Sequence, residues 1–300
     1  MNASSKDRVG LAIALSIMAL VLFDAMGLII KRLSTDYGSA ELSAYRNFFG
    51  LVPSVIALWS TRAWHNTGRR LRIRQWRLAM FRGLCIGLAQ VLFYYALGRI
   101  AFATANTITY ANALFMTALA VPLLGEKVGA LRWSAVMIGF VGVVLGVKPG
   151  GDSFTTDALA PLGAAFLYAL AGVLARRIDA EVPSPLVNLY SSVIALVATL
   201  ALVVFLGGFS PIKAQGDILW IIAMGFFGGL AVLSLVTSFR MPEQRNLAPF
   251  TYFGIPIAFF LGWVFYDEAP WADLFPGAIL IAAGGLLVIW RERQVRRRTR

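Results

Sequence analysis

Two charged side chains stand inside apolar runs of this sequence and are its strongest candidates for chemistry. Asp24 lies in VLFDAMGLII, and Arg46 lies in ELSAYRNFFG. An ionised group within a membrane span costs about 2.5–3.5 kcal/mol on insertion scales, so it must be protonated, paired or in contact with water. Asp24 could therefore bind a proton or the amine of a solute, or form a structural ion pair with Arg46. Arg46 could bind the carboxylate of a solute, or pack against Asp24 or the outer headgroups.

Polar and aromatic side chains at helical spacing form a second group of candidates. Gln90 and Tyr94 share one face of a presumed helix, and Asn106, Tyr110 and Thr117 share one face of the next. The tyrosine rings could stack on a ligand and offer hydroxyl groups, although tyrosines also concentrate at membrane interfaces. The amide of Asn106 could bind a solute or form a hydrogen bond between helices.

The residue types that other kinds of site require are scarce in this chain. His65 is the single histidine and Cys85 the single cysteine, so neither a metal site nor an internal disulfide is expected. A membrane enzyme would need acid–base or metal clusters at depth, and the spans offer one aspartate. The sequence has no Walker motif, which argues against ATP hydrolysis by this chain. We therefore expect no enzyme and no cofactor, and keep a channel or a membrane scaffold as alternatives to a carrier.

The elements that would position these side chains are apolar runs of about 20 residues, the length that crosses a bilayer as a helix. The 300 residues are 59% apolar and 14% charged, with a mean hydropathy of +0.73, and the runs use nearly the whole chain. The sequence thus predicts an all-α membrane protein with ten transmembrane helices, at about 10–30, 42–60, 77–98, 104–124, 131–148, 158–175, 186–206, 218–240, 247–266 and 272–290.

The distribution of basic residues predicts the orientation of the chain. Its formal net charge is +12, and most Lys and Arg fall at the two termini and after even-numbered spans, notably in residues 62–77 and 291–300. That bias places both termini in the cytoplasm and attributes the charge to topology and anionic lipid rather than to nucleic acid. The first run follows Lys6 and Arg8 and is long, so we interpret it as a retained span rather than a cleaved signal peptide.

A weak internal repeat runs through the chain. Residues 109–147 align without a gap to residues 251–289, so that Tyr110 recurs as Tyr252 at an offset of 142. The segment FLYALAGVLARR of the second half likewise aligns with VLFDAMGLIIKR of the first. The pattern indicates one membrane unit used twice.

The loop KPGGDSFTTDALAP separates the two copies and predicts five-helix repeats at 1–149 and 150–300. Because five spans is an odd number, the second repeat should be inverted in the membrane. Glu126 recurs as Glu268, so the two glutamates should lie on opposite sides. Each should open the helix that follows it, where a carboxylate complements the helix dipole, or act as a gate.

Two prolines of the ninth span predict a conformational role. Pro249 and Pro256 lie seven residues apart in an apolar run. A proline inside a helix removes a hydrogen bond and bends the helix, so we expect both positions to act as hinges.

The sequence resembles a known family. Its pattern A-x-A-N, here Ala103, Ala105 and Asn106, is followed by P-L-L-G-E-K at 122–127. This is similar to the drug/metabolite transporter superfamily and, within it, to the ten-helix EamA-type family. The resemblance covers essentially the whole chain, and the second half departs from it by having Asp267 where the family has glycine. It implies export of small metabolites, often amino acids, from the bacterial cytoplasm through the inner membrane.

The resemblance also implies a central cavity lined mainly by helices 1, 3, 4, 6, 8 and 9. One branch of the superfamily, the aromatic amino-acid exporter-like proteins, exports aromatic and other bulky amino acids, which a cavity rich in tyrosine would suit. Carried over by position, the substrate-binding set is Asp24, Gln90, Tyr94, Asn106, Tyr110, Tyr168, Thr237, Ser238 and Tyr252.

These observations predict a secondary transporter that exports small metabolites by alternating access, with amino acids, including aromatic and bulky ones, as the first choice of substrate. The alternatives are a proton-coupled exporter of drugs or other metabolites, and a membrane scaffold without transport. The expected partners are the solute, membrane lipid and, if Asp24 binds them, protons. The direction of transport and the oligomeric state stay open.

Overall fold

The computed structural model describes residues 5–66, 68, 71, 73–126, 129–147, 156–179, 181–239, 253–268 and 275–298. Within these ranges the regular structure is helical. The α-helices are α1 (Ser5–Leu33), α2 (Ser39–Trp59), α3 (Arg62–Asn66), α4 (Trp76–Leu97), α5 (Phe102–Thr109), α6 (Asn112–Leu124), α7 (Ala130–Val147), α8 (Leu159–Ala175), α9 (Ser184–Phe205), α10 (Gln215–Phe239), α11 (Gly254–Tyr266) and α12 (Gly277–Arg298).

Six stretches of the described chain are long and apolar enough to cross a bilayer. They are Ile13–Leu33, Trp76–Leu97, Phe102–Leu124, Thr156–Ala175, Pro185–Phe205 and Gln215–Ser234. Trp133–Leu145 and Gly254–Tyr266 are shorter apolar helices. The prediction of an all-helical, multi-pass membrane protein agrees with this architecture.

The predicted span at 104–124 is divided into two helices, α5 and α6. The division falls at Tyr110 and Ala111, whose N–H groups bond to the carbonyls of Thr107 (3.1 Å) and Ile108 (3.0 Å), three residues back. Bonds of this type tighten the helix and often mark a hinge. The stripe expected along one regular helix therefore passes through a tightened turn at its middle, and residues 102–124 remain one apolar stretch long enough to cross a bilayer.

Pro256 does not interrupt a helix. It is the third residue of α11, which begins at Gly254. In the first turn the missing N–H of proline has no intrahelical partner to lose, so the residue is tolerated there. The described helix α11 therefore accommodates Pro256 without a break, while the segment before residue 253, with Pro249, lies outside the described residues, so a hinge there stays a prediction.

Helices α6 and α11 are equivalent in length and in the way they end. Each has 13 residues, and they begin at residues offset by 142. Gly125 (φ 68°) and Asp267 (φ 53°) follow them in the left-handed conformation. The N–H of Glu126 then bonds to Ala120 (3.3 Å) and that of Glu268 to Gly262 (3.1 Å), which closes both helices in the same manner. Asp267 thus adopts the backbone of the glycine that the family pattern has there, as short polar residues can.

The main helix contacts join the first half of the chain to the second. Helix α1 packs on α10, α4 on α8 and α9, α2 on α9 and α10, and α7 on α12. In the last pair a methyl group added at Gly142 would lie 2.7 Å from Leu280 Cβ, and one added at Gly284 would lie 2.7 Å from the carbonyl oxygen of Ala135. Glycine is needed at both positions because the two helices approach this closely.

Hydrogen bonds show which helices finish together at the first end of the bundle, which we call the Lys31 end. Lys31 Nζ, near the end of α1, donates to the carbonyl of Ile100, just after α4 (2.9 Å). The hydroxyl of Tyr95, near the end of α4, donates to Asp157, just before α8 (2.9 Å). Helices α1 and α4 therefore end where α8 begins.

The opposite end, which we call the Arg176 end, joins the start of α4 to the region after α8. Gln75 precedes α4 and donates from Nε2 to Asp179 Oδ1 (2.9 Å), four residues beyond the end of α8. The hydroxyl of Tyr190 in α9 donates to the carbonyl of Leu71 (2.9 Å). Helix α1 therefore finishes at the Lys31 end and α8 at the Arg176 end.

Candidate solute site and paired bundle ends

A buried chain of polar side chains links α2 to α4. Arg46 Nη1 donates to Asn47 Oδ1 (3.2 Å), and Asn47 Nδ2 donates to Gln90 Oε1 (2.8 Å). Asn47 and Gln90 are 1% and 4% exposed, so this chain lies inside the bundle. Each amide holds the next group in place, because a polar group in an apolar interior is costly without a partner.

Two predicted tyrosines lie near this chain. Tyr94, one helical turn beyond Gln90 on α4, is 2% exposed, and Tyr168 lies on the neighbouring α8. Helix α4 packs on both α2, which carries Arg46, and α8. The structure thus places Gln90, Tyr94 and Tyr168 of the predicted set on the two helices next to that of Arg46.

Asp24 is also buried, but on another side of α1. The described residues contain no ion pair between Asp24 and Arg46, and Oδ2 of Asp24 has no hydrogen-bond partner among them. The sulfur of Met26 lies close to Gly228 of α10, beside Arg46. Residues two apart differ by about 200° around a helix, so Asp24 faces away from that side. The structural ion pair expected as one alternative is therefore not formed in this conformation.

Asn106 and Tyr110 lie in a second place, at the junction of α5, α6 and α11. Asn106 Nδ2 donates to the carbonyl of Phe102 in its own helix (2.9 Å). The hydroxyl of Tyr110 lies directly against Gly254, the first residue of α11, where no side chain would fit. Tyr110 packs with apolar clusters separate from the one that holds Tyr94. The predicted residues thus fall into two groups instead of one ring around a cavity.

Three predicted residues cannot be placed by their side chains. Thr237 and Ser238 belong to the last turn of α10, whose side chains are outside the described part, and Tyr252 lies outside the described residues altogether. Two residues of the polar chain were outside the predicted substrate-binding set: Arg46, which the sequence did suggest as a possible carboxylate-binding residue, and Asn47, which it did not suggest. The available signal was an Arg–Asn dipeptide inside an apolar run, since polar groups in spans usually mark function.

An ion pair ties the two halves of the chain together at the Lys31 end. Lys31 Nζ lies 2.7 Å from Glu268 Oε1, and the side chains are 11% and 27% exposed. Glu268 Oε2 also accepts the N–H of Phe102, the first residue of α5 (2.8 Å). The carboxylate therefore complements the N-terminus of α5 from the other half of the chain. Residues 269–274, which follow Glu268, lie outside the described residues, so the expectation that Glu268 opens the next helix stays a prediction.

A second ion pair joins the halves at the Arg176 end. Arg176, immediately after α8, pairs with Glu126, immediately after the cap of α6. This pair is more exposed, at 45% and 30% for the two side chains. In the repeat alignment Arg176 corresponds to Lys31 and Glu126 to Glu268. Each glutamate is therefore paired with the cation that ends the first helix of the opposite half.

A cavity of about 330 Å³ lies elsewhere, between α2, α9 and α10. Its wall is apolar and includes Tyr45, Phe49, Leu196 and Ile221, and it contains none of the predicted residues. Solute sites need a few polar groups that fix orientation. We therefore place the candidate site at Arg46 and its neighbours and not in this cavity.

A bundle of apolar helices with buried polar groups and ion pairs across both ends defines a multi-pass membrane protein of the transporter class. The model of the EamA-like transporter family matches residues 10–147 and again residues 156–290. The chain belongs to the EamA-like transporter family of the drug/metabolite transporter superfamily. The resemblance stated from the sequence is confirmed.

Known relatives carry different solutes. The chain is 24% identical over 285 residues to the S-adenosylmethionine uptake transporter of Rickettsia conorii, covering 94% of this chain and 93% of that one. It is 26% identical over 227 residues to the riboflavin transporter of Brucella anthropi, covering 75% and 80%. It is 23% identical over 270 residues to the pseudopaline exporter CntI of Pseudomonas aeruginosa, covering 90% and 92%.

A protein of known crystal structure has the same fold. It superposes with a TM-score of 0.63 at 20% sequence identity, over 95% of this chain and 98% of that chain. At this identity the likeness concerns the fold alone.

Proposed function

We propose that this protein is a secondary carrier that moves one small solute across the bacterial inner membrane by alternating access. In this proposal residues 1–149 and 150–300 are inverted five-helix halves, and both termini lie in the cytoplasm. The observation that carries the proposal is the pair of equivalent ion pairs at opposite ends of the bundle, Lys31–Glu268 and Arg176–Glu126.

The inverted arrangement is supported by the packing of the helices. The contact of α1 with α10 corresponds to that of α8 with α4 when the two halves are exchanged, and the contact of α2 with α10 corresponds to that of α9 with α4. The pairs α2–α9 and α7–α12 each exchange with themselves. Helices α1 and α8, the first of each half, finish at opposite ends. Such symmetry is the physical basis of carriers with two nearly equivalent packings around one site.

The two ion pairs would act as alternating latches. Each joins the two halves at one end only, so opening one end breaks one pair and leaves the other in place. Because each open state would lose one of two equivalent pairs, the pairs would make the two states differ in free energy only by the difference between their contributions. A carrier needs this near balance, since a solute shifts an equilibrium only by its differential affinity for the states.

The solute that we would test first is an amino acid, including aromatic and bulky ones. Support comes from the tyrosines Tyr94 and Tyr168 on the helices next to Arg46, a combination that suits a ring and a charged head group. The named relatives include both an uptake transporter and an exporter. Export is our proposal for this chain, with Asp24 as the proton-coupling carboxylate and Asn106, Tyr110, Thr237, Ser238 and Tyr252 as further site residues.

Counterflow in proteoliposomes tests the proposed function. Purified protein is reconstituted into vesicles loaded with L-phenylalanine, S-adenosylmethionine or riboflavin, and entry of the same radiolabelled solute is measured. A carrier with alternating access gives saturable entry that is accelerated by the solute on the opposite side. Flux that does not saturate and ignores the opposite side would indicate a channel, and no flux with any member of a wider metabolite panel would favour a scaffold.

Matched variants distinguish an effect of these two ion pairs from a general effect of removing a surface charge. Glu268→Gln and Glu126→Gln should each change the counterflow rate. Asp36→Asn removes a third ion pair, Lys213–Asp36, whose side chains are 51% and 46% exposed. Exposed pairs contribute little, so this variant should transport like the parent. Equal rates in all three variants would contradict a role for the latches.

A further inference from the structure

We propose that Arg46 is the anion-binding residue of the solute site, so that the solute carries a carboxylate placed against this guanidinium. The inference rests on the proposed function, because it names the chemical class of the solute that the carrier moves. It concerns a residue that the sequence reasoning left outside the predicted substrate-binding set.

The depth of Arg46 makes an unneutralised charge costly. It is the eighth residue of α2, which begins at Ser39, so it lies about 10 Å along the helix from that end. Its Nε is buried and has no hydrogen-bond partner among the described residues. In the described part of the chain no carboxylate forms an ion pair with it either. Because a buried charged group is costly without a partner, this partly buried guanidinium with its buried Nε favours the binding of an anion.

The guanidinium is held in a defined orientation. Asn47 accepts from Nη1 and is itself fixed by its bond to Gln90. Of the five N–H donors of an arginine, this arrangement engages one. The remaining donors form the planar fork that suits a carboxylate with two parallel hydrogen bonds.

A glycine of the neighbouring helix lets the guanidinium approach α10 closely. A methyl group added at Gly228 would lie 2.6 Å from Met26 Sδ, 3.1 Å from Arg46 Nε and 3.5 Å from Nη2. A larger residue at this position would press on both side chains. Gly228 therefore sets how closely Nε and Nη2 of Arg46 lie against α10.

Aromatic side chains lie on the helices next to Arg46. Tyr94 is one turn beyond Gln90 on α4 and is 2% exposed in this conformation, and Tyr168 lies on α8, which packs on α4. Opening of the bundle would expose these rings to the body of a solute whose carboxylate is bound by Arg46. The arrangement favours amphiphilic carboxylates over uncharged solutes.

Matched probes isolate the carboxylate from the rest of the solute. Binding of 3-phenylpropionate and of 3-phenylpropionamide to the purified full-length protein is measured by inhibition of counterflow and by calorimetry. L-Phenylalanine and L-phenylalaninamide form a second pair with the amine present. The parent should prefer the carboxylate by about ten- to hundredfold, the usual range for a charged hydrogen-bonded contact. In Arg46→Gln the ratio of carboxylate affinity to amide affinity should fall to about one, while affinity for the amide stays within about twofold of the parent value.

Two further variants protect the test from a folding defect. Arg82→Gln removes another buried arginine, which donates to Ser191 between α4 and α9, and it should keep the preference of the parent. Gly228→Ala in a Met26→Ala background retains Arg46 and crowds its Nε without the 2.6 Å contact to Met26 Sδ. Relative to Met26→Ala alone, it should lower carboxylate affinity without changing amide affinity. If Arg46→Gln does not fold, the ratio measured for Gly228→Ala decides the question.

The outcomes distinguish this inference from the proposed function. A preference for carboxylate that survives in Arg46→Gln, or an unchanged ratio in Gly228→Ala, overturns the role of Arg46. A parent that shows counterflow of riboflavin but no preference within either probe pair also overturns it, while carrier function stands. A parent without counterflow of any solute overturns the proposed function instead.

Discussion

Removing the charge of Glu268 should shift the protein towards a state that is open at the Lys31 end. In Glu268→Gln the 2.7 Å ion pair with Lys31 is lost, while an amide oxygen remains to accept the N–H of Phe102. Lys31 keeps its bond to the carbonyl of Ile100, so the cation is not left bare. A charge-assisted bond in a partly buried site contributes about 1.5–3 kcal/mol, and a carboxylate at a helix N-terminus about 0.3–1 kcal/mol.

A loss of about 2 kcal/mol changes an equilibrium constant by about thirtyfold. The corresponding change in Glu126→Gln should be smaller and of opposite sign. The Arg176–Glu126 pair is more exposed, so its contribution is about 0–1 kcal/mol. Combining the two substitutions should therefore leave most of the shift caused by Glu268→Gln.

Disulfide cross-linking can measure the shift directly. A Cβ added at Gly262 would lie 3.5 Å from Phe102 Cβ, within the range that a disulfide requires. These two positions belong to different halves of the chain at the Lys31 end. Cysteines are introduced at both in a Cys85→Ala background, which removes the single native thiol. The rate of oxidative cross-linking then reports how often the Lys31 end is closed.

The double-cysteine parent without a charge substitution should cross-link rapidly, and Glu126→Gln should cross-link at the same rate or faster. Glu268→Gln should cross-link more slowly, and reduction should restore transport to every oxidised sample. Equal rates in the parent and Glu268→Gln would refute the latch. A decrease of the same size in Glu126→Gln would refute the idea that the two ends alternate.

Three further predictions concern packing, coupling and surface charge. Gly142→Leu should lower the free energy of unfolding by about 1–3 kcal/mol or more because α12 contacts this glycine, whereas Gly216→Ala, with open space around it, should have little effect in the same detergent unfolding assay. Asp24→Asn should abolish any stimulation of transport by a pH gradient, and an unchanged response would exclude this carboxylate as the proton carrier. The hydrogen bond from Lys213 lowers the pKa of Asp36 below its usual 3.8. The stabilising contribution of this carboxylate is therefore present above that pH and is lost as pH falls through the lowered pKa. The difference in unfolding temperature between Asp36→Asn and the parent should disappear only below about pH 4.

The sequence by itself determined the class of protein and the approximate positions of most of the described helices. Apolar runs separated by short polar segments indicate membrane helices because the bilayer requires about 20 apolar residues per crossing. The offset that relates Glu126 to Glu268 was also readable, since local backbone geometry repeats with the pattern of residues. Helices α6 and α11 and their left-handed caps follow that offset.

Tertiary structure decided which of these side chains meet. The partners of Glu268 and Glu126 come from the opposite half, and Asn47 binds Gln90 across 43 residues of chain. Helical periodicity fixes the face on which a side chain lies, but not how far the helix is rotated relative to its neighbours. That rotation places Arg46 beside Gly228 and turns Asp24 away, because close packing at glycines sets how the helices approach each other.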